Sequence, residues 1–340
     1  MIPFWYPDKI TVVPDVLEFH VFGILVGIAV LLGSWIAQKR AESKGLNPRV
    51  VADLGLWLVI IGFVVAHVFS VLAYFPERVF GTPCEDTANS ACLIRGEQFV
   101  CGANGRCDDG TVMELLYIWS GISSFGGFLG AALGILIFIS VKRIVIIPRL
   151  FELEGGKGRP VMKYLDAIAY GFAFAWIFGR MGCFSAHDHV GAVTSSPLAV
   201  AFPDGWRSGV PAVPGFGPAG ITPRYDLGFM EMLWSIVMST FFYFWARTKE
   251  GLRPGWFVAV MMMCYAPFRF YLDTLRAVDI DGADKRYFAD IIAPGLTPGH
   301  MSAIAVFLGG IAVWVYGGKL LKNAEYMAWF DGEKTEAPKA

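Results

Sequence analysis

Charge is what this sequence has least of. Of its 340 residues only 17% are Asp, Glu, Lys or Arg, while 55% are hydrophobic and the mean hydropathy is +0.53. A soluble domain carries nearer a quarter charged residues, so the shortage excludes a water-soluble globule and points to a membrane protein. The 28 basic and 29 acidic side chains nearly cancel, to a net charge of −1. The total therefore gives no sign of a nucleic-acid partner, and none is expected; the information lies in where the charges fall. Linkers rich in Pro, Gly and Ser, low-complexity tracts and internal repeats are also missing. One membrane domain is expected over residues 1–322, with external insertions at 76–112 and 185–226 and a cytoplasmic tail at 323–340. The opening "MIPFWYPDKITVVPDVLEFH" lacks a basic stretch followed by a short apolar run, so it does not read as a cleaved signal peptide.

What is abundant is apolar sequence in runs. Crossing a hydrocarbon layer of ~30 Å takes about 20 helical residues, and suitable runs lie near 19–38, 53–75, 113–141, 163–183, 227–246, 255–275 and 300–318. The expected fold is an all-α polytopic membrane protein of about seven transmembrane helices. Lys39, Arg40, Lys44 and Arg49 follow the first run, and Lys142, Arg143, Arg149, Lys157, Arg159 and Lys163 follow the third. Arg247, Lys249 and Arg253 follow the fifth, and Lys319, Lys322, Lys334 and Lys339 the seventh. The opposite side holds fewer: Lys9, Arg78, Arg95, Arg106, Arg207, Arg224, Lys285 and Arg286. Basic residues accumulate on the cytoplasmic side of membrane proteins, so the N-terminus is expected outside and the C-terminus inside.

Four of the six cysteines, Cys84, Cys92, Cys101 and Cys107, fall in the insertion after the second run, which this orientation places outside, where disulfides persist. Three pairings are open. A zinc site is the competing reading, but the spacings contain no CxxC pair. Cys183 and Cys264 read as buried thiols. The third run carries Gly121, Gly126, Gly127, Gly130 and Gly134. These either permit close helix packing or mark opened backbone beside a cavity. The segment "AFPDGWRSGVPAVPGFGPAGITPRYD" is either an interfacial lid, for which Phe202 and Trp206 are suited, or an inert loop.

An ionisable group in the bilayer costs a few kcal/mol even on lenient scales, so each needs a reason. His67, Glu114, Asp166, Arg180, Glu231, Arg269, Asp273 and Arg276 qualify. Asp166 and Glu114 read as solvated helix-end carboxylates. The others collect toward the external end: Arg180 closes the fourth run, Glu231 opens the fifth, and Arg269, Asp273 and Arg276 close the sixth. Arg269 and Asp273, four apart, share a helix face. Arginine grips phosphate through a planar fork of donors that stays charged in apolar surroundings, so two deep outward arginines suggest an anionic headgroup. His187, Asp188 and His189 follow Arg180; histidine titrates near neutrality and can act as a base. No HExxH spacing or third ligand nearby in sequence supports a metal, and neither metal nor organic cofactor is expected.

The order of these segments resembles that of bacterial prolipoprotein diacylglyceryl transferases. "GRMGCFSAHDHVG" resembles the family signature, approximately G-R-x-G-N-F-x-N-x-E-x-x-G. "FHVFGILVGIAVLLGSWIAQKRA" is similar to the first span, "GISSFGGFLGAALGILIF" to the S-F-H-G-G segment and "TPRYDLGFMEML" to P-R-H-P-S-Q-L-Y-E. "CYAPFRFYLDTLRAVD" is similar to Y-G-x-F-R-F-x-x-E-x-x-R, and "GLTPGHMSAIAVFLGG" to the opening of the last helix. The match retains Arg180, Gly182, Phe184, Gly191, Arg224, Glu231, Tyr265, Arg269 and Arg276, with Asp188 and Asp273 at family glutamates. Cys183 and Ala186 replace the signature asparagines, Phe125 a histidine, Phe22 a tyrosine and His67 an arginine.

The resemblance implies transfer of the diacylglyceryl group of phosphatidylglycerol to the lipobox cysteine of a prelipoprotein, releasing glycerol 1-phosphate, in the bacterial cytoplasmic membrane. Arg180, Arg269, Asp188, His187, His189 and Asp273 are the candidate catalytic residues. Arg180, Arg269, Arg276, Glu231, Tyr265, Gly126 and Gly127 are the candidate headgroup-binding residues. His187 or His189 is expected to stand in for the missing histidine as base. The rivals are a diverged relative acting on another lipid or acceptor, and a lipid-binding or transport protein without chemistry.

Overall fold

A computed structural model of the chain describes residues 1–7, 10–13, 17–74, 77–80, 91–94, 97–100, 112–116, 123–147, 151–207, 210–213, 215, 217–248, 252–279 and 296–317. Long helices dominate: α1 (Val21–Ser43), α2 (Pro48–Phe69), α3 (Ser124–Ser140), α4 (Val161–Ala186), α5 (Leu227–Thr248), α6 (Trp256–Thr274) and α7 (Pro298–Tyr316). Five are long and apolar enough to cross a membrane, over Val21–Ser43, Pro48–Leu72, Val161–Ala186, Leu227–Arg247 and Gly299–Tyr316. The protein is a multi-pass membrane protein. α3 has 17 residues, and α6 carries Arg269 and Asp273 among its apolar side chains. The apolar run at 113–141 divides into a 3-10 turn, Val112–Leu116, and α3, whose N-cap Ser123 accepts a hydrogen bond from the Gly126 N–H at 3.4 Å.

Strands depart from the all-α expectation. β1 (Ile10–Val13) pairs with β2 (Leu17–Phe19), β3 (Ala91–Ile94) with β4 (Glu97–Val100), and β5 (Arg143–Ile147) with β6 (Phe151–Glu154), each antiparallel. β7 (Val190–Val193), β8 (Val200–Pro203) and β9 (Ile221–Asp226) form one antiparallel sheet with β9 central. All are short, and the central one pairs with partners about 20 to 35 residues away, a pattern that local hydrophobic periodicity does not reveal. The chain forms two compact units: Met1–Asp53 with Arg143–Ala340, and Leu54–Lys142.

In the first unit α1 lies against α4 along small residues. Ala29, Gly33, Ala37 and Ala41, spaced by four, are the buried positions of α1. A Cβ on Gly171 would run into the Gly33 carbonyl oxygen and stand 2.9 Å from Ala37 Cβ. In lipid, where apolar side chains gain little by leaving the solvent, close backbone approach is what holds helices together. A second core joins α4, α5 and α6 through Ala173, Met238, Phe242, Trp256, Phe257 and Met261. Asp166, expected to be a solvated helix end, instead accepts hydrogen bonds from the Gly255 and Val258 N–H groups at 2.6 and 3.2 Å and so ties α4 to the start of α6.

In the second unit the glycines of α3 face α2. A Cβ on Gly126 would meet Phe69 Cβ at 2.7 Å and Ala66 Cα at 2.8 Å, and one on Gly130 would meet Gly62 Cα at 2.9 Å; Gly127 faces open space. The packing reading thus holds at Gly126 and Gly130. His67 is fully buried, its Nε2 2.9 Å from the Glu114 carbonyl oxygen. Cys84, Cys101, Cys107 and the side chain of Cys92 lie outside the described residues. Neither remaining cysteine is a buried thiol: Cys183 is half-buried and Cys264 exposed.

Candidate active site

The end of α4, the start of α5, the end of α6 and the start of α7 bring most of the expected residues together. Arg180 and Arg269, from α4 and α6, are 5% and 7% exposed, and both face Glu231 of α5, which is fully buried. Arg180 Nε lies 2.7 Å from Glu231 Oε2, and Arg269 Nε 4.0 Å from Oε1. The Tyr265 hydroxyl donates to Oε1 at 2.9 Å. The Trp176 ring, one turn before Arg180, lies 4.5 Å from its guanidinium, a cation–π contact that shields the charge without neutralising it.

Asp273 is a second hub. Arg269 Nη2 and Arg276 Nη2 lie 3.2 and 3.1 Å from its Oδ1. Its Oδ2 accepts from the Thr297 hydroxyl and lies 3.8 Å from His300 Nδ1. Thr297 and His300 also form a capping box at the start of α7, each side chain serving the other's backbone. A Cβ on Gly299 would fall 2.5 Å from Asp273 Oδ2, so glycine there lets the carboxylate dock on the helix start. Residue-by-residue reading missed Thr297 and His300, although T-x-x-H before an apolar run is a variant of the capping signal.

Two buried polar atoms here have no partner among the described residues, Arg269 Nη1 and Trp176 Nε1. Buried polar groups are nearly always satisfied, and unsatisfied ones concentrate where a ligand acts. Both are N–H donors, one on a guanidinium, and the acceptor they fit is an oxyanion.

The residues after Arg180 diverge in placement. His187 caps α4 in the left-handed conformation (φ 47°) and is fully buried. Its Nδ1 lies 2.7 Å from Asp226 Oδ2 and its Nε2 3.0 Å from the Trp5 carbonyl oxygen, so neither ring nitrogen is presented to a substrate. Phe4, Phe184, Phe202 and Trp206 surround the ring. His189 and Asp188 instead pair near the surface, Nδ1 to Oδ1 2.5 Å, with side chains 20% and 39% exposed. Burial disfavours the charged ring of His189, but hydrogen bonds with Asp188 and Cys183 outweigh it and raise its pKa to about 9. Burial likewise opposes ionisation of Asp188, yet His189 and Arg180 hold it below the ordinary carboxylate value. Cys183 Sγ accepts from Arg180 Nη1 at 3.6 Å. Cys183, Asp188 and His189 offer sulfur, oxygen and nitrogen within 4.8 Å of one another, a third ligating residue that the sequence reading did not find. A guanidinium already occupies the sulfur's neighbourhood, so the trio reads as an extension of the ion network.

Residues 10–316 match the family model described as prolipoprotein diacylglyceryl transferase. The chain belongs to that family. Proteins named phosphatidylglycerol–prolipoprotein diacylglyceryl transferase are similar to it along most of their length. That of Thermosynechococcus vestitus is 24% identical over 307 residues, 89% of this chain and 91% of the relative. That of Nostoc sp. is 23% identical over 320 residues, 92% and 91% of the two chains, and that of Chromohalobacter salexigens 23% over 319 residues, 92% and 93%.

As a prolipoprotein diacylglyceryl transferase family member, the chain uses its signature glycines for close approach. A Cβ on Gly182 would meet the Phe22 ring at 3.2 Å, and one on Gly191 would stand 2.8 Å from the Leu275 carbonyl oxygen. Gly191 pairs with Arg276 across an antiparallel bridge, which ties the sheet to the end of α6. Arg224, fully buried on β9, donates to Asp279 Oδ1 at 2.9 Å and to the Pro211 carbonyl oxygen at 3.1 Å, and its hydrogen bonding, aided by its charge, holds the Asp279 carboxyl below the usual range. It braces the segment after α6. Gly126 and Gly127 belong to the second unit.

Proposed function

We propose that this protein transfers the diacylglyceryl group of phosphatidylglycerol to the lipobox cysteine of prelipoproteins, in the bacterial cytoplasmic membrane, with seven spans, the N-terminus outside and the C-terminus inside. The observation carrying this reading is that two buried arginines from separate helices share Glu231 while Arg269 Nη1 and Trp176 Nε1 remain unsatisfied. A phosphate oxygen is the acceptor those donors suit. The thiol sulfur forms a bond to the terminal glyceryl carbon, the carbon–oxygen bond to phosphate breaks, and glycerol 1-phosphate leaves with the bonding pair. Charge grows on the phosphate in the transition state, where Arg180 and Arg269 stabilise it without having to reorganise. Glu231, the buried carboxylate that the two arginines share, takes the thiol proton.

Asp273 and Tyr265 position the arginines, and Arg276 closes the outer side of Asp273. His187 organises the sheet and the N-terminal segment. His189 is an imidazolium near neutral pH, paired with Asp188 at the mouth of the site, and serves there as a cation rather than a base. Gly127 faces open space, whereas Gly126 is taken up by helix packing.

Purified protein, phosphatidylglycerol vesicles and a lipobox peptide test this directly by mass spectrometry of the peptide. A thioether-linked diacylglyceryl adduct is expected, with Arg180→Ala and Arg269→Ala each lowering its rate about 10²–10³-fold while the proteins still insert. Tight binding of phosphatidylglycerol with no adduct would replace the enzyme by a lipid-binding protein. Full rate in both variants would remove the arginines from the mechanism.

A further inference from the structure

The ion network of the site ends in a set of metal ligands. Cys183, Asp188 and His189 bring a thiol sulfur, a carboxylate oxygen and an imidazole nitrogen within 4.8 Å of one another. Around a zinc ion with bonds of about 2.0–2.3 Å, tetrahedral ligand atoms stand about 3.3–3.6 Å apart, so small side-chain rotations close the set. Sequence spacing hides it, because residues five and six apart on a continuous helix point to different sides. α4 stops at Ala186, and the left-handed His187 turns the chain so that Asp188 and His189 come back beside the last helical turn.

The backbone around the three ligands is already held. The His189 carbonyl oxygen accepts from the Leu227 N–H at 3.0 Å and the Val190 carbonyl oxygen from the Ala277 N–H at 3.3 Å. Gly228 brings the start of α5 against the cysteine, where an added Cβ would meet Cys183 Cβ at 3.0 Å. A metal therefore has only side chains to order, and little ordering means little cost of binding.

The donor set selects the ion. Calcium and magnesium take oxygen ligands, whereas sulfur with imidazole nitrogen suits zinc, and three protein ligands leave a fourth position open. Two contacts give way. The ion displaces the proton between His189 Nδ1 and Asp188 Oδ1, and the protons of the ligands go to solvent. Arg180 Nη1 is 3.6 Å from Cys183 Sγ, a long contact beside the 2.7 Å pairing of Arg180 with Glu231, so the guanidinium keeps its main partner when the sulfur is drawn off. The Asp188 side chain is 39% exposed, which gives the ion a way in from water.

We propose that Cys183, Asp188 and His189 bind a divalent cation of the zinc class, and that the bound ion slows transfer by fixing the 187–189 turn against the mouth of the arginine–glutamate site. The effect on transfer rests on the function proposed above; metal binding does not.

Titration of the purified, tag-free protein with Co²⁺ tests binding through the cobalt–thiolate charge-transfer band. Cys84, Cys92, Cys101 and Cys107 also carry sulfur, so the site is read from the difference between the parent and Cys183→Ser, which is expected to saturate at one ion per protein. Asp188→Asn and His189→Gln change residues at the surface and stay informative even if Cys183→Ser does not fold. Each is expected to weaken that binding about 10–100-fold, a loss that even an outer partner of a metal brings. Zn²⁺ at ten times its dissociation constant is expected to slow transfer to a lipobox peptide about tenfold in the parent, and to leave Cys183→Ser at its own rate. No thiolate band in the parent, or an undiminished band in both Cys183→Ser and His189→Gln, would overturn the site. Cobalt binding without slowing by Zn²⁺ would overturn its effect on transfer. Absence of transfer in the untreated parent would count against the proposed function alone, with the cobalt band still deciding the site.

Discussion

Replacing Glu231 by glutamine removes one charge and almost no volume, and its consequences follow from the distances. Glu231 faces Arg180 at 2.7 Å and Arg269 at 4.0 Å, with all three side chains nearly inaccessible. At an effective dielectric of ~20 a contact at ~4 Å is worth about 4 kcal/mol before desolvation is subtracted. Breaking a buried ion pair from one side costs about 3–5 kcal/mol, because the partner charge stays behind. The amide keeps an acceptor for the Tyr265 hydroxyl, so the loss is electrostatic. Equilibrium unfolding in detergent is expected to shift by that amount, roughly a hundred- to several-thousand-fold in the folded population. Tyr265→Phe, which deletes one hydrogen bond to a charged group, is expected to lose only about 1.5–3 kcal/mol. Transfer is expected to fall with Glu231→Gln even at temperatures where the variant is folded, since the proposed proton acceptor is gone. A variant with parental stability and rate would refute both the coupling of the arginines and the assignment of the proton.

Gly299→Ala drives a methyl group into the Asp273 carboxylate and is expected to cost about 1–3 kcal/mol and to lower the transfer rate, measured with the lipobox peptide. Gly171→Leu is expected to separate α1 from α4 and abolish stable insertion, scored by protease resistance in membranes, whereas Gly127→Ala is expected to be tolerated. The His189–Asp188 pair gives a pH signature. His189, raised to about 9 from an ordinary 6.5, contributes stability that is complete below 6.5 and is lost as pH climbs through about 9. Asp188, held below its ordinary 3.8, contributes above that value and loses its share as pH falls further. Hydrogen exchange in residues 187–193 is expected to rise above about pH 9, beyond its intrinsic acceleration, and His189→Gln to abolish that rise.

The helical part of the fold was legible because lipid imposes a single strong pattern, a long apolar run, on every crossing segment. Each of the seven expected runs contains a long helix, and among the described residues five meet the length and apolarity needed to cross. The run at 113–141 was read through because Gly and Ser within it do not lower mean hydropathy enough to reveal that a helix starts after Ser123. Meeting of Arg180, Glu231 and Arg269 was also legible: a deep charge needs a partner, and the ends of the fourth and sixth runs fall on the same side as the start of the fifth. The role of Thr297 was hidden because it depends on which helix start faces Asp273, a matter of packing rather than composition. Likewise, nothing in "AHDHVG" separates the two histidines. One turns inward because α4 ends in a left-handed residue that aims its ring at Asp226; the other stays near the surface.

The first residues of the chain close a circuit with much later ones. Ile2 exchanges backbone hydrogen bonds with Ala199 and Ala201, adding a parallel edge to the sheet at Val200, and the Trp5 carbonyl meets His187. Synthesis at about 5–20 residues per second puts roughly 10–40 s between the emergence of these partners. The opening segment therefore waits, unpaired, until two hundred residues have followed it. Its docking cannot precede the emergence of Ala201, and a chain stalled before that point lacks the seal around His187.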